Sequence, residues 1–173
     1  MNKKDIKDNI FQMKTEIKYP VNLLTKGYLI FYPTNGYHLS KNQYESFFYS
    51  INRMNLYNEV FCFDIEFIDN LEKIALEEIR RLTNMSYLDY KKSILLFENC
   101  IFDEILRWSI CVYQDYWGIL YGSQDLLNDI AVYYDFKSDL LKFDDELVSC
   151  IDNEKVKNTF KKLMLSSLIS RKN

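Results

Sequence analysis

Histidine is almost missing from this 173-residue chain, and His38 stands alone. One imidazole rules out multi-histidine metal sites. A catalytic relay would need it beside a nucleophile and an orienting acid, and the spacing joins His38 to neither. It reads as a turn histidine after Asn35-Gly36. Glycine and proline are also scarce, at four and two residues. Glycine-rich phosphate loops and flexible linkers are thereby excluded, and regular elements joined by short connections are favoured. The four cysteines, Cys62, Cys100, Cys111 and Cys150, lie far apart without a C-x-x-C pair. Lacking a ligand cluster, they read as reduced thiols among large apolar neighbours. No uncharged apolar run approaches the roughly 18 residues of a membrane span. Asp5, Lys7 and Asp8 interrupt any apolar leader behind Met1. A cytoplasmic location is expected.

Apolar residues are abundant, at 48% hydrophobic and 16% aromatic, enough for a packed core in a chain of one-domain size. Charge is segregated. Between Glu59 and Glu146 stand 19 acidic and 8 basic residues, whereas 1–58 holds 8 basic and 4 acidic and 147–173 holds 6 and 2. Fields of one sign add over a surface and steer partners of the opposite sign. An acidic middle disfavours nucleic acid, whose binders cluster Lys and Arg, and favours a basic protein.

Periodicity places the elements. Ile6, Ile10, Met13 and Ile17 make a helical stripe over Lys4–Lys18, ended by Pro20. Gly27–Tyr32 is a strand stopped by Pro33. Ser40 with Gln43 forms a capping box opening a helix to about Arg53. Val60–Ile68 alternates as a strand, with Phe61, Phe63, Ile65 and Phe67 on one face and Cys62, Asp64 and Glu66 on the other. A helix follows with Leu71, Ile74, Ala75, Ile79 and Leu82 as its stripe. A helical turn spans Ser86–Tyr90, and Ile94–Phe97 reads as a strand. Phe102–Tyr113 fits either period; its β-branched residues favour a strand over about Arg107–Tyr113, returning through Gln114-Asp115-Tyr116 to a strand at Trp117–Tyr121. Ser123 caps a helix bearing Leu126, Leu127, Ile130, Ala131 and Tyr134. A short helix near Asp145–Ile151 and a longer one over Glu154–Ile169 close the chain. The class is α+β: one domain over 1–173, with a mixed or largely antiparallel sheet, a hairpin in its C-terminal half and amphipathic helices as cover.

Asp64 and Glu66, two residues apart on a strand, present both carboxylates on one face. Such a pair could hold a divalent ion in a phosphodiesterase or nuclease-like site, but the lysine usual near the second acid is missing. The solvated face of a half-buried strand is the favoured reading. Gly122-Ser123 could offer amides to an anion, yet Asp125 would repel it. Lys155, Lys157, Lys161 and Lys162 line the last helix, and a solvated face is favoured there over membrane contact. No cofactor, nucleic acid or membrane is expected. The remaining candidates form a protein-binding set: Asp103, Glu104, Asp115, Asp125 and Asp129 as charges, and Tyr116, Trp117 and Tyr121 as aromatic anchors.

The stretch from Trp108 to Ile130 comprises a Trp-bearing strand, an acidic turn, Trp-Gly-Ile-Leu-Tyr-Gly-Ser and an acidic helix with Leu126, Leu127 and Ile130. It resembles the C-terminal parts of small bacterial immunity proteins of contact-dependent growth inhibition and related polymorphic toxin systems. The resemblance implies a non-enzymatic, cytosolic α+β protein that occludes the active site of a cognate toxin domain. Such toxins are often basic nucleases. A metal-dependent enzyme using Asp64 and Glu66 is the first alternative. A phage or mobile-element accessory protein binding a host factor is the second.

Overall fold

Why a 20.9 kDa chain with so few breaks folds this way is clearest from its sheet. The computed structural model describes residues 27–57, 59–64, 80–82, 86–93, 98–105 and 107–167. The helix read over Lys4–Lys18, residues 65–68 of the second strand, the helical stripe up to Ile79 and the strand read at Ile94–Phe97 lie outside them. The described residues form a six-stranded antiparallel sheet: β1 (Tyr28–Phe31), β2 (Val60–Asp64), β3 (Arg80–Leu82), β4 (Asn99–Asp103), β5 (Ser109–Val112) and β6 (Gly118–Tyr121). The order is β1-β6-β5-β4-β2-β3. The expected α+β class, with its late hairpin β5–β6, holds.

Antiparallel sheets commonly leave one face wet; this one is dry on both. One face carries Leu29, Phe31, Val60, Cys62, Ile101, Ile110, Val112 and Leu120 against α1 (Lys41–Arg53), α2 (Tyr87–Ser93) and α3 (Gln124–Tyr133). The other carries Tyr28, Ile30, Phe63, Cys100, Phe102, Cys111, Ile119 and Tyr121. It is covered from α4 (Phe136–Lys142), through a π-helical turn over Phe143–Leu147 and a 3-10 turn at Val148–Cys150, to α5 (Glu154–Ser166). The alternation in β2 therefore separates two cores, not core from solvent. Asp64 is buried, which overturns its reading as part of a solvated face.

The caps are local. Ser40 accepts from the Gln43 amide at 3.3 Å while Gln43 Oε1 accepts from the Ser40 amide at 2.8 Å, a pairing worth about 1 kcal/mol. Ser123 accepts from the Leu126 amide at 3.3 Å and starts α3, whose Leu126, Leu127 and Ile130 are fully inside. Ala131, expected inward with them, is exposed. One further expectation fails, and two elements go unread in the sequence. Leu82, read as the end of a helical stripe, lies in β3, paired with Val60. Asn99–Asp103 is a strand that the sequence does not announce. Phe136–Lys142 is a helix in which only Phe136 and Asp139 are buried, too few inward residues for periodicity to register.

Candidate functional site

The β5–β6 hairpin closes through a loop of Gln114, Asp115 and Tyr116, with the Tyr113 amide donating to the Trp117 carbonyl at 2.8 Å. Three-residue hairpin loops finish on a residue in the left-handed region, normally glycine. Here Tyr116 fills that position with φ 61°, a conformation that disfavours a bulky side chain. The loop is braced from both sides. Thr34 donates its amide to the Tyr116 carbonyl at 2.6 Å, and the Gln114 amide donates to Glu98 Oε1 at 3.2 Å. Beneath the crown, Trp117 stacks on Tyr113 at 4.3 Å, lies tilted against Phe143 and meets Phe160 edge-on. A rigid base thus carries an exposed acidic and aromatic tip: Asp115 is exposed and Tyr116 is 56% accessible.

The neighbouring 33–38 loop is fixed by contacts distant in sequence. Tyr32 donates its amide to the buried Asp139 carboxylate at 2.8 Å, and Tyr134 donates its hydroxyl to the same oxygen at 2.7 Å. Gln43 Nε2 donates to the Pro33 carbonyl and to the Tyr134 hydroxyl. Asn99 Nδ2 donates to the Tyr37 carbonyl at 2.7 Å. Burial raises the Asp139 carboxyl above the ordinary range, against the lowering effect of its two donors. Burial also raises the Tyr134 hydroxyl, helped by Asp139. Tyr32 is raised by burial and then by a hydrogen bond to Glu146. His38 packs edge-on against Tyr90 at 6.0 Å, and burial, with Lys91 second, lowers its pKa. Sequence reasoning missed Gln43, Asn99, Tyr134 and Asp139 as a bracing network. The only early signal was Gln43, read purely as a cap.

The eight candidate residues do not converge. Trp117 and Tyr121, expected as partner anchors, are 2% and 0% exposed. They face the core beneath α4 and α5, so that expectation is corrected. Asp103 is corrected too. At 0% exposure, its carboxylate accepts from the Arg107 amide at 2.5 Å, Arg107 Nε at 2.6 Å and the Trp108 amide at 3.2 Å. Arg107 and Trp108 both donate onward to the Leu56 carbonyl, so Asp103 knots the β4–β5 turn. Glu104 is half-buried in that turn, and the Glu104 amide donates to the Glu59 carbonyl. Asp125 is exposed at the start of α3, and Asp129, one turn on, pairs with Arg53 of α1. Asp115 and Tyr116 occupy one end of the sheet, and Glu104 and Asp125 the other. The four residues of β6 separate them by about 13 Å, at ~3.3 Å per strand residue.

Asp64 faces Asn99 across β2 and β4, while Glu66 lies outside the described residues. Among the described residues no group of three or more His, Cys, Asp and Glu side chains is placed to hold a metal ion. Nor is any described helix long and apolar enough to cross a membrane. No protein-family model, curated protein or solved structure matches this chain.

Proposed function

We propose that this chain is a non-catalytic binding protein that neutralises a basic cognate toxin domain by covering its active site. The hairpin tip at Asp115 and Tyr116 would be the leading contact. The observation that carries this reading is the occupant of the loop's left-handed position. A large aromatic there opposes backbone preference and gains little from the core, because more than half of the residue is exposed. Strain of that kind concentrates where a side chain is presented for use. Aromatic anchors beside charge are the residues that dominate protein interfaces. Asp115 on the tip and Glu98 bonded to its backbone give the contact a negative sign, suited to a cationic partner and to salt-sensitive association.

The test is calorimetric titration of the purified chain with the toxin domain encoded by the neighbouring gene. Tyr116→Ala is expected to weaken binding by about 2 kcal/mol or more, roughly thirtyfold. Asp115→Asn is expected to slow association mainly at low salt. Unchanged affinity in both variants would remove the tip from the interface. Failure of the unmodified chain to bind would remove the immunity reading itself.

A further inference from the structure

Two of the cysteines that the sequence scatters are neighbours once folded. Cys100 of β4 and Cys111 of β5 are direct partners across the antiparallel ladder. The Cys111 thiol donates to Cys100 Sγ at 3.2 Å, and both side chains are 0% exposed. Facing residues in such a ladder have Cα atoms about 4.5–5.5 Å apart, inside the 4.4–6.8 Å range that a disulfide spans. Little more than side-chain rotation is therefore needed to join the two sulfurs. Among the described residues α5 packs on the same face as both thiols, its Phe160 and Leu163 sharing their core. α5 buries only Phe160 and Leu163, and the Tyr28 hydroxyl donates to the Leu163 carbonyl.

We propose that Cys100 and Cys111 form a redox couple, gated by α5, that a peroxide converts to a cross-strand disulfide. In the first step one thiolate attacks a peroxide oxygen, the O–O bond breaks and a sulfenic acid forms with release of hydroxide. In the second step the other thiol displaces that oxygen as water, and the S–S bond forms. Two thiols and one hydrogen peroxide give one disulfide and two waters, with the two sulfurs oxidised and the peroxide reduced. The adjacent thiol captures the sulfenic acid before a second peroxide reaches it. Local opening of α5 sets the rate, because the thiols are otherwise closed to solvent. The thiols of Cys62, on the opposite face, and exposed Cys150 take no part. The couple is independent of what the hairpin tip binds.

The experiment is to treat the reduced full-length protein with hydrogen peroxide, unfold it, alkylate it with iodoacetamide and weigh it. A species 2 Da lighter before alkylation is expected, with two carbamidomethyl groups and a peptide linking Cys100 to Cys111. Dithiothreitol should return all four thiols. Leu163→Ala, which loosens α5, should speed formation of the same product by about tenfold or more. Four alkylatable thiols after treatment would overturn the proposal. So would a link through Cys62 or Cys150, or oxygen adducts without a link. A Leu163→Ala rate equal to that of the parent chain would overturn the gating by α5.

Discussion

A tyrosine in the left-handed position of the hairpin loop makes an unusual stability test possible. Burial is removed from the comparison by setting Tyr116→Gly against Tyr116→Ala, since both variants lose the same ring. What remains is the backbone. An L-residue in the left-handed region costs about 1–2 kcal/mol, which glycine escapes. Glycine loses about 0.5–1 kcal/mol more conformational freedom than alanine on folding. The difference leaves the glycine variant about 0.5–1 kcal/mol more stable than the alanine variant. That reverses their usual order in regular structure, and at about 2–4 °C per kcal/mol for this chain length it corresponds to roughly 1–4 °C in Tm. Urea unfolding with an unchanged m-value would give the same ranking as a shift in midpoint. If Tyr116 anchors a partner, both variants lose affinity alike although their stabilities differ, which separates the ring's part in binding from its part in folding. An alanine variant as stable as the glycine variant, or more so, would refute the left-handed backbone at Tyr116 and the argument built on it.

Three further outcomes follow from the same packing. In Gly118→Ala the new methyl would overlap the buried Phe31 ring and stand 2.6 Å from the Cys111 carbonyl oxygen, so a loss of about 2–3 kcal/mol is expected in urea unfolding. Asp103→Asn replaces an anionic acceptor with an amide facing Arg107 Nε and two backbone N–H groups, and should cost about 2–3 kcal/mol with the β4–β5 turn exchanging amide protons sooner. Asp139 has a folded-state pKa above its unfolded value of 3.8, so the folded chain holds the proton more tightly and stability falls as pH rises through the interval just above that value. Asp139→Asn keeps a carbonyl acceptor and removes the titration. The parent chain should therefore gain stability relative to this variant as pH is lowered towards 4, and a constant gap in parallel urea titrations would refute the assignment.

What could be read from the sequence was what neighbours along the chain decide. Ser40 with Gln43, Ser123 before its apolar triplet, and the return through Gln114-Asp115-Tyr116 all depend on interactions within a few residues. Asn99–Asp103 was illegible because its polar ends are satisfied from elsewhere: Asn99 by Tyr37, 62 residues away, and Asp103 by the following turn. An apolar pattern bounded by Asn and Asp looks like a loop until those partners are in place. Asp139 hid for the same reason, since the Tyr32 amide that justifies its burial lies 107 residues back.

The acidic middle makes a sharper point about charge. A sign balance along the chain becomes a surface field only if the side chains reach the surface together. Asp64, Asp103 and Asp139 are consumed inside, and Glu59 and Asp129 are matched by Arg81 and Arg53. Asp115 and Asp125 stand exposed at opposite ends of β6, and Asp89, Asp135, Asp145 and Glu146 are exposed elsewhere. At the hairpin tip the excess is a few carboxylates beside Tyr116, less than the balance along the central block implies. If a basic partner binds here, its association rate should respond less to salt than the 19 acidic residues of the central block would suggest, and its dissociation rate should follow Tyr116.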